Sequence, residues 1–255
     1  MISLRSAFRA HTLKSVLSHR PVVLRCPICS GTRIAVRTDP HPLPGTRCLG
    51  CSSTTVHRGL WTVLQSKYGR GLENLAGCAV WEMSAHGAVH RALSVRSAAV
   101  GFAFQATEYM DGVPPGNERD GIRCENVECL TFADRSFDLI TSTDVFEHVE
   151  NDIRGFREIA RVLRPGGAFI FTVPMDETRP TLIRGERAAD GSIRHLAPPE
   201  YHGDPMRGMT VYTWRTYGTD ITDRLAQAGL DARCEFVATH GVAMRVPVIV
   251  AYASR

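Results

Sequence analysis

Four cysteines set the first chemical constraint. Cys26 and Cys29 form one C-x2-C unit and Cys48 and Cys51 a second, 18 residues further on. Two cysteines two apart on a tight turn aim both sulfurs at one point. Two such turns close a tetrahedron of soft ligands, so the spacing is that of a zinc site. Two disulfides are the competing reading, which the cytosolic pattern of cysteine usage disfavours. A closed four-cysteine shell leaves no coordination position for water, so the expected Zn2+ is structural. Some 60 residues bury little apolar surface, and the metal would supply folding free energy. Cys78, Cys124, Cys129 and Cys234 are scattered and are expected to be small buried apolar groups.

Charge follows the cysteines. Residues 1–60 carry nine Lys/Arg and one acid, a local charge of +8 within a chain of net +4, so the remainder is −4. Such asymmetry indicates different work for the two parts. The acid-free start is expected to be a short helix or arm rather than a mitochondrial presequence, which gives a cytoplasmic protein. No apolar run approaches the ~20 residues a membrane helix needs. The pattern divides the 255 residues into an arm and ribbon (1–57), a helical linker (58–76) and a main domain (77–255).

In the main domain short apolar runs alternate with helical patterns. Strands are expected at 78–83, 102–106, 121–124, 137–143, 168–173, 233–237 and 246–252. Helices are expected at 89–95, 151–163 and 219–228. The helix at 151–163 starts at an Asn151 or Asp152 cap and stops at Pro165-Gly166-Gly167. The run at 168–173 is continuously apolar, as in a parallel strand buried on both faces. Strand–helix alternation predicts a parallel sheet covered on both sides, with ligands beyond the strands' carboxyl ends.

The stretch 137–174, FDLITSTDVFEHVENDIRGFREIARVLRPGGAFIFTVP, resembles the class I S-adenosylmethionine-dependent methyltransferases of the type 11 kind. The resemblance rests on Phe137-Asp138 entering a strand, Glu147-His148 just beyond it, and R-V-L-R-P-G-G before the next. It implies an α/β, Rossmann-like seven-stranded sheet with helices on both faces, here preceded by a small zinc ribbon. It also implies S-adenosyl-L-methionine as cofactor. The family's glycine-rich first turn corresponds to Glu82-Met83-Ser84-Ala85-His86-Gly87, which keeps the acid but only one glycine. Glu82, Ser84 and Gly87 are the implied cofactor contacts there. Glu108, 26 residues after Glu82, is the implied ribose ligand, with Tyr109 placed to stack on adenine. Asn126 stands where the family has an Asp for the adenine amino group, with Glu125 and Glu128 as competitors and Val127 packing on the ring. Thr143 and Asp144 would line the methionine moiety.

Between Pro174 and the helix near Thr219 lies a charged stretch, and residues 175–215 are expected to form a lid or acceptor-binding insertion. Its H-L-A-P-P-E-Y-H-G-D-P run gathers His195, Glu200, Tyr201 and His202. Methyl transfer to oxygen needs alignment and a base near neutral pH. His148, His195 and His202 are the candidate catalytic groups, and Glu147, Glu200 and Tyr201 the candidate acceptor contacts. This run and R-T-Y-G resemble a subgroup found near glycosyltransferases, which implies a small-molecule or saccharide-like acceptor, methylated on oxygen. A basic ribbon gripping RNA is the alternative. The lack of aromatics there other than Phe8 argues against stacking on bases. A non-catalytic binding module is the third reading.

Overall fold

The computed structural model describes residues 22–38, 45–204, 209–239 and 245–253. The amino-terminal arm and Pro40, Pro42 and Pro44 at the expected hairpin tip lie outside the described residues.

Strands β1 (Val22–Arg25), β2 (Thr32–Thr38) and β3 (Gly45–Cys48) form a three-stranded antiparallel ribbon. Helix α1 (Thr55–Tyr68) follows, with Thr54 as its cap. Arg58, buried at the start of α1, clamps the ribbon to it. Its Nη1 donates to the carbonyls of Thr46 (3.1 Å) and Ser53 (2.9 Å). Its Nη2 donates to the hydroxyls of Thr46 (2.5 Å) and Thr55 (3.3 Å). Leu24, Cys26, Ile28, Ala35 and Cys48 of the ribbon share one buried cluster with Leu60, Trp61 and Leu64 of α1 and with sheet residues. The helix read as a linker is thus a packed layer of the structure.

The main sheet has eight strands: β4 (Ala79–Glu82), β5 (Ala103–Glu108), β6 (Glu118–Arg119), β7 (Ile122–Cys124), β8 (Phe137–Thr143), β9 (Leu163–Thr172), β16 (Leu230–Ala238) and β17 (Arg245–Ala253). Their order is β16-β17-β9-β8-β4-β5-β7-β6. The central five run parallel, while β17, β16 and the edge strand β6 are antiparallel to their neighbours. Seven of the eight are the strands expected from the sequence. The eighth, β6, is two polar, exposed residues with no apolar signal.

The two-residue period of a strand divides the core. Leu139, Ile170, Val248 and Val250 face α1 and α2 (Gly87–Val100). Ile140, Phe169, Phe171 and Ile249 face α3 (Asp152–Val162) and α4 (Ile221–Ala226). Helices therefore cover both faces, as expected.

The stop of α3 differs from expectation. The helix ends at Val162, before Pro165-Gly166-Gly167, and β9 already pairs Leu163 with Phe137. The Pro-Gly-Gly run lies within β9, where the pairing with β8 is irregular. A Cβ on Gly167 would sit 3.1 Å from the Phe137 carbonyl oxygen and 3.2 Å from that of Asp138, so the strands approach here only because it is glycine. Asp138 accepts from Ala79 N (2.7 Å) and Arg164 Nη1 (2.5 Å), linking β8, β4 and β9 at their start.

Residues 175–215 fold into short antiparallel pairs: β10 (Leu182–Ile183) with β15 (Arg215–Thr216), β11 (Gly185–Arg187) with β12 (Ile193–His195), and β13 (Tyr201–Asp204) with β14 (Met209–Tyr212). Of the scattered cysteines, Cys124 is buried, but Cys78 and Cys234 are half-buried and Cys129 is exposed. No helix among the described residues is long and apolar enough to cross a membrane.

Replacing Arg58 with alanine removes the guanidinium donors to the carbonyls of Thr46 and Ser53 and to the hydroxyls of Thr46 and Thr55, with the Ser53 carbonyl keeping Cys48 N (2.9 Å). Arg58→Ala is expected to lower unfolding free energy by about 3 kcal/mol in urea titration. Arg58→Lys, with no fork to span both carbonyls, should recover less than half of that.

Candidate active site

The chain runs outward from β4 through β5 to β7, then returns to β8 and β9 on the other side of β4. The strand order therefore reverses between β4 and β8, and ligands of such sheets bind at that crevice. The loops that reach it are the turn after β4, the end of β5, and the segment following β8.

Glu82 closes β4. It is buried, and its carboxyl accepts a hydrogen bond from the Thr141 hydroxyl of β8. Burial pushes its pKa up to about 8, with Thr141 opposing and Glu108 adding to the rise. Beyond it, Ser84 Oγ (2.8 Å) and Ala85 N (2.9 Å) both donate to Glu108 Oε1 at the end of β5. The glycine-poor turn thus spends its donors on fixing one carboxylate. Gly87 has φ +86, and a Cβ there would meet nothing nearer than His57 Nε2 at 3.7 Å. The glycine is needed for its backbone angle rather than for space. His86 Nε2 is buried without a hydrogen-bond partner.

Tyr109 lies beside Glu108 and is 48% exposed. Asn126 follows β7, and its Oδ1 accepts from Glu128 N at 2.9 Å, an Asx turn that leaves the oxygen's second lone pair and the amide. The two competing acids are committed elsewhere. Glu125 binds Arg123 Nε (2.8 Å) and Thr131 N (3.0 Å), and Glu128 accepts from Asn151 N (3.0 Å). Val127 packs against the apolar cluster that includes Phe146.

Thr143 ends β8 with its hydroxyl buried and unpartnered. Asp144 follows at φ +52, an uncommon angle for a side-chain-bearing residue, and strain of this kind gathers at functional sites. Its Oδ1 accepts from Thr172 Oγ1 at 3.0 Å. Burial, and then the Glu147 charge, push its pKa up to about 7.

Glu147 and His148 sit on a 3-10 turn (Phe146–His148) directly after β8. The insertion brings His202 to them. Glu147 is 0% exposed, and neither carboxylate oxygen has a hydrogen-bond partner. His202 Nδ1 lies 3.6 Å and His148 Nε2 3.7 Å from Glu147 Oε1. The far side of each ring is held: His148 Nδ1 meets the Tyr212 carbonyl at 2.9 Å, and His202 Nε2 meets Glu200 Oε1 at 3.1 Å. Glu147 first, and Glu200 with it, raise the His202 pKa against the opposing effect of burial. Glu200 also pairs with Arg184. The main chain completes the docking, since Trp214 N donates to the Glu147 carbonyl (2.8 Å) and Thr213 N to that of Glu200 (2.9 Å).

His195 and Tyr201 are less enclosed. His195 is exposed, with Nδ1 3.1 Å from the Tyr212 hydroxyl, and Tyr201, 49% exposed, stands edge-on to the Tyr212 ring. Tyr212 therefore touches three of the expected residues. Arg184 and Tyr212 escaped the sequence reading. The alternating V-Y-T-W run was the available signal for a strand there, and a backbone carbonyl that orients a histidine leaves none.

The four ribbon cysteines come together. Cys26 Sγ and Cys51 Sγ are 3.7 Å apart, Cys29 Sγ and Cys48 Sγ 3.9 Å, and all four sulfurs lie within 4.8 Å of one another. Sulfurs ~2.3 Å from a tetrahedral zinc are about 3.8 Å apart, whereas a disulfide needs ~2.05 Å.

Residues 85–171 match the family model of the methyltransferase domain. This segment is a methyltransferase domain. It holds Glu108, Asn126, Thr143, Asp144, Glu147 and His148, and the ribbon and the insertion lie outside it. The chain is similar to a malonyl-[acyl-carrier protein] O-methyltransferase of Methylococcus capsulatus, 39% identical over 77 residues, 30% of this chain and 28% of that one. It is also similar to a sarcosine/dimethylglycine N-methyltransferase of Halorhodospira halochloris, 50% identical over 48 residues, 19% and 17% of the two chains. The matches thus span less than a third of the length of these relatives. Among solved structures, Burkholderia thailandensis 1,6-didemethyltoxoflavin-N1-methyltransferase with bound 1,6-didemethyltoxoflavin and S-adenosylhomocysteine is 16% identical, covering 78% of this chain and 79% of that chain, with a TM-score of 0.48.

The raised pKa of Glu82 has a stability signature. Below about pH 4.5 the carboxyl is protonated in both folded and unfolded chains. As pH rises towards about 8 the unfolded chain ionises first, so stability falls across that window and levels off above it. Urea unfolding at pH 5 and pH 8 should show Glu82→Gln gaining roughly 2–4 kcal/mol over wild type at the higher pH.

Proposed function

We propose that this chain transfers a methyl group from S-adenosyl-L-methionine to a hydroxyl of a small-molecule or saccharide-like acceptor. The observation that carries the reading is the Glu108 carboxylate, held at the reversal point of the sheet by Ser84 and Ala85. A carboxylate so placed can accept hydrogen bonds from both hydroxyls of a ribose. The unpartnered Thr143 hydroxyl and His86 Nε2 at neighbouring strand ends fit a polar ligand lying across them. Glu82 and Gly87 shape the turn, Tyr109, Asn126 and Val127 border the adenine end, and Thr143 with Asp144 borders the methionine end.

The bound cofactor supplies an already activated sulfonium methyl. The protein has then to hold the acceptor oxygen in line, exclude water and take the hydroxyl proton. The group of Glu147, His148 and His202 lies beyond β8 for that purpose, with Glu200, Tyr201 and His195 of the insertion towards its mouth. His148 donates Nδ1–H to the Tyr212 carbonyl, so its Nε2 presents a lone pair to the site.

In the ribbon, the sulfur spacing supports one structural Zn2+ on Cys26, Cys29, Cys48 and Cys51. It would fold the ribbon rather than take part in chemistry.

Isothermal titration of the full chain with S-adenosylmethionine should give a dissociation constant in the micromolar range. Glu108→Ala, with an unchanged circular dichroism spectrum, should weaken it at least tenfold, about 1.4 kcal/mol. A flat trace for wild type at high protein concentration would refute the reading. Cys48→Ser is expected to lose one equivalent of zinc and to lower the midpoint of thermal unfolding.

A further inference from the structure

We infer that Glu147, His148 and His202 form a second metal site, for a divalent first-row transition ion of the zinc type. One ligand atom from each, two imidazole nitrogens and a carboxylate oxygen, lie within 4.8 Å of one another. The separations of 3.6 and 3.7 Å between Glu147 Oε1 and the two ring nitrogens are too long for hydrogen bonds. They suit ligands of a shared ion, since two atoms each ~2.1 Å from a metal at a tetrahedral angle are about 3.4 Å apart.

Two further features point the same way. A fully buried carboxylate with no hydrogen-bond partner on either oxygen is costly unless a positive charge joins it. Metal-binding histidines commonly donate their other ring N–H to a backbone carbonyl or a carboxylate. Both arrangements occur here, His148 on the Tyr212 carbonyl and His202 on Glu200. These outer contacts turn His148 Nε2 and His202 Nδ1 towards Glu147. Arg184, paired with Glu200, steadies the second of them.

Three protein ligands leave a coordination position open, unlike the closed shell of the ribbon. Where the proposed methyl transfer holds, and this consequence rests on it, the open position would take the acceptor oxygen and make its hydroxyl acidic enough to lose its proton to water, with His148 and His202 then serving as ligands in place of a base.

The test needs neither cofactor nor acceptor. Full-length protein is dialysed against excess Zn2+ or Co2+ in a non-chelating buffer, and bound metal per chain is measured by elemental mass spectrometry. Two ions per chain are expected for wild type. One is expected for His148→Ala, His202→Ala and Glu147→Gln, each keeping the ribbon's ion. In the cobalt form, the ribbon site shows intense thiolate charge-transfer bands. The second equivalent should add only weak visible bands, which vanish in the three variants. One ion per wild-type chain would overturn the inference and leave a proton on His202, shared by Glu147 and Glu200, as the cluster's occupant. Two ions persisting in the variants would overturn it as well, by placing the second ion elsewhere. Should one variant fail to fold, wild-type stoichiometry and the remaining variants still decide. Cofactor titration on the same preparations separates this outcome from that of methyl transfer.

Discussion

The geometry of the site depends on one buried guanidinium. Arg215 of β15 donates to the carbonyls of Phe146 (3.3 Å), Val149 (2.6 Å) and Glu150 (2.6 Å), closing the turn that carries Glu147 and His148. The Phe146 carbonyl also accepts from Val149 N (3.2 Å) and the Tyr217 hydroxyl (3.4 Å), so the guanidinium matters most to the carbonyls of Val149 and Glu150. Asp152 balances the charge, with its Oδ2 3.6 Å from Arg215 Nε. It is itself gripped by Arg224 (2.7 and 2.9 Å) and by the Tyr217 hydroxyl (3.0 Å). Burying such a network contributes little net stability. What it fixes is the position of a turn and, through β15, of the insertion above it.

With that turn fixed, the work divides between two parts of the chain. The parallel sheet supplies rigid strand ends, and the residues proposed for the cofactor lie on them or within five residues beyond. In the proposed reading the insertion supplies the acceptor end, through short hairpins whose main chain docks on the turn. Arg187 extends the docking, with its guanidinium on Glu150 (2.8 and 3.0 Å from Nε) and over the Trp214 ring. The ribbon takes no part in this. It joins the opposite face of the sheet through α1.

Much of the architecture was legible in the residues because burial on both faces writes continuous apolar runs. The 137–143 run coincides with β8 as observed, and the other six expected strands fall within a few residues of theirs. The cap was legible as Asn151 or Asp152, and in the fold Asn151 Oδ1 accepts from Arg154 N at 3.0 Å. Pro165-Gly166-Gly167 misled, since the same residues that stop a helix also permit an irregular strand to pass close to its neighbour. Cys129 misled as well, because a cysteine carries no signal for which side of a loop it takes.

The site was legible only in part, for a different reason. The family resemblance and strand-end position singled out Glu108, Glu147 and His148, and the charged run of the insertion singled out His202. The pairing of Ser84 and Ala85 with Glu108, and the Tyr212 carbonyl that turns His148, are contacts between distant segments, and any residue offers an amide or a carbonyl. The central claim is that the crevice between β4 and β8 seats the cofactor with the Glu147, His148 and His202 group at its reactive end. A crystal structure with S-adenosylhomocysteine tests it most directly. The account predicts the ribose hydroxyls on Glu108, the amino-acid end near Thr143 and the thioether sulfur facing that group. A ligand bound elsewhere, or with its ribose away from Glu108, would contradict it.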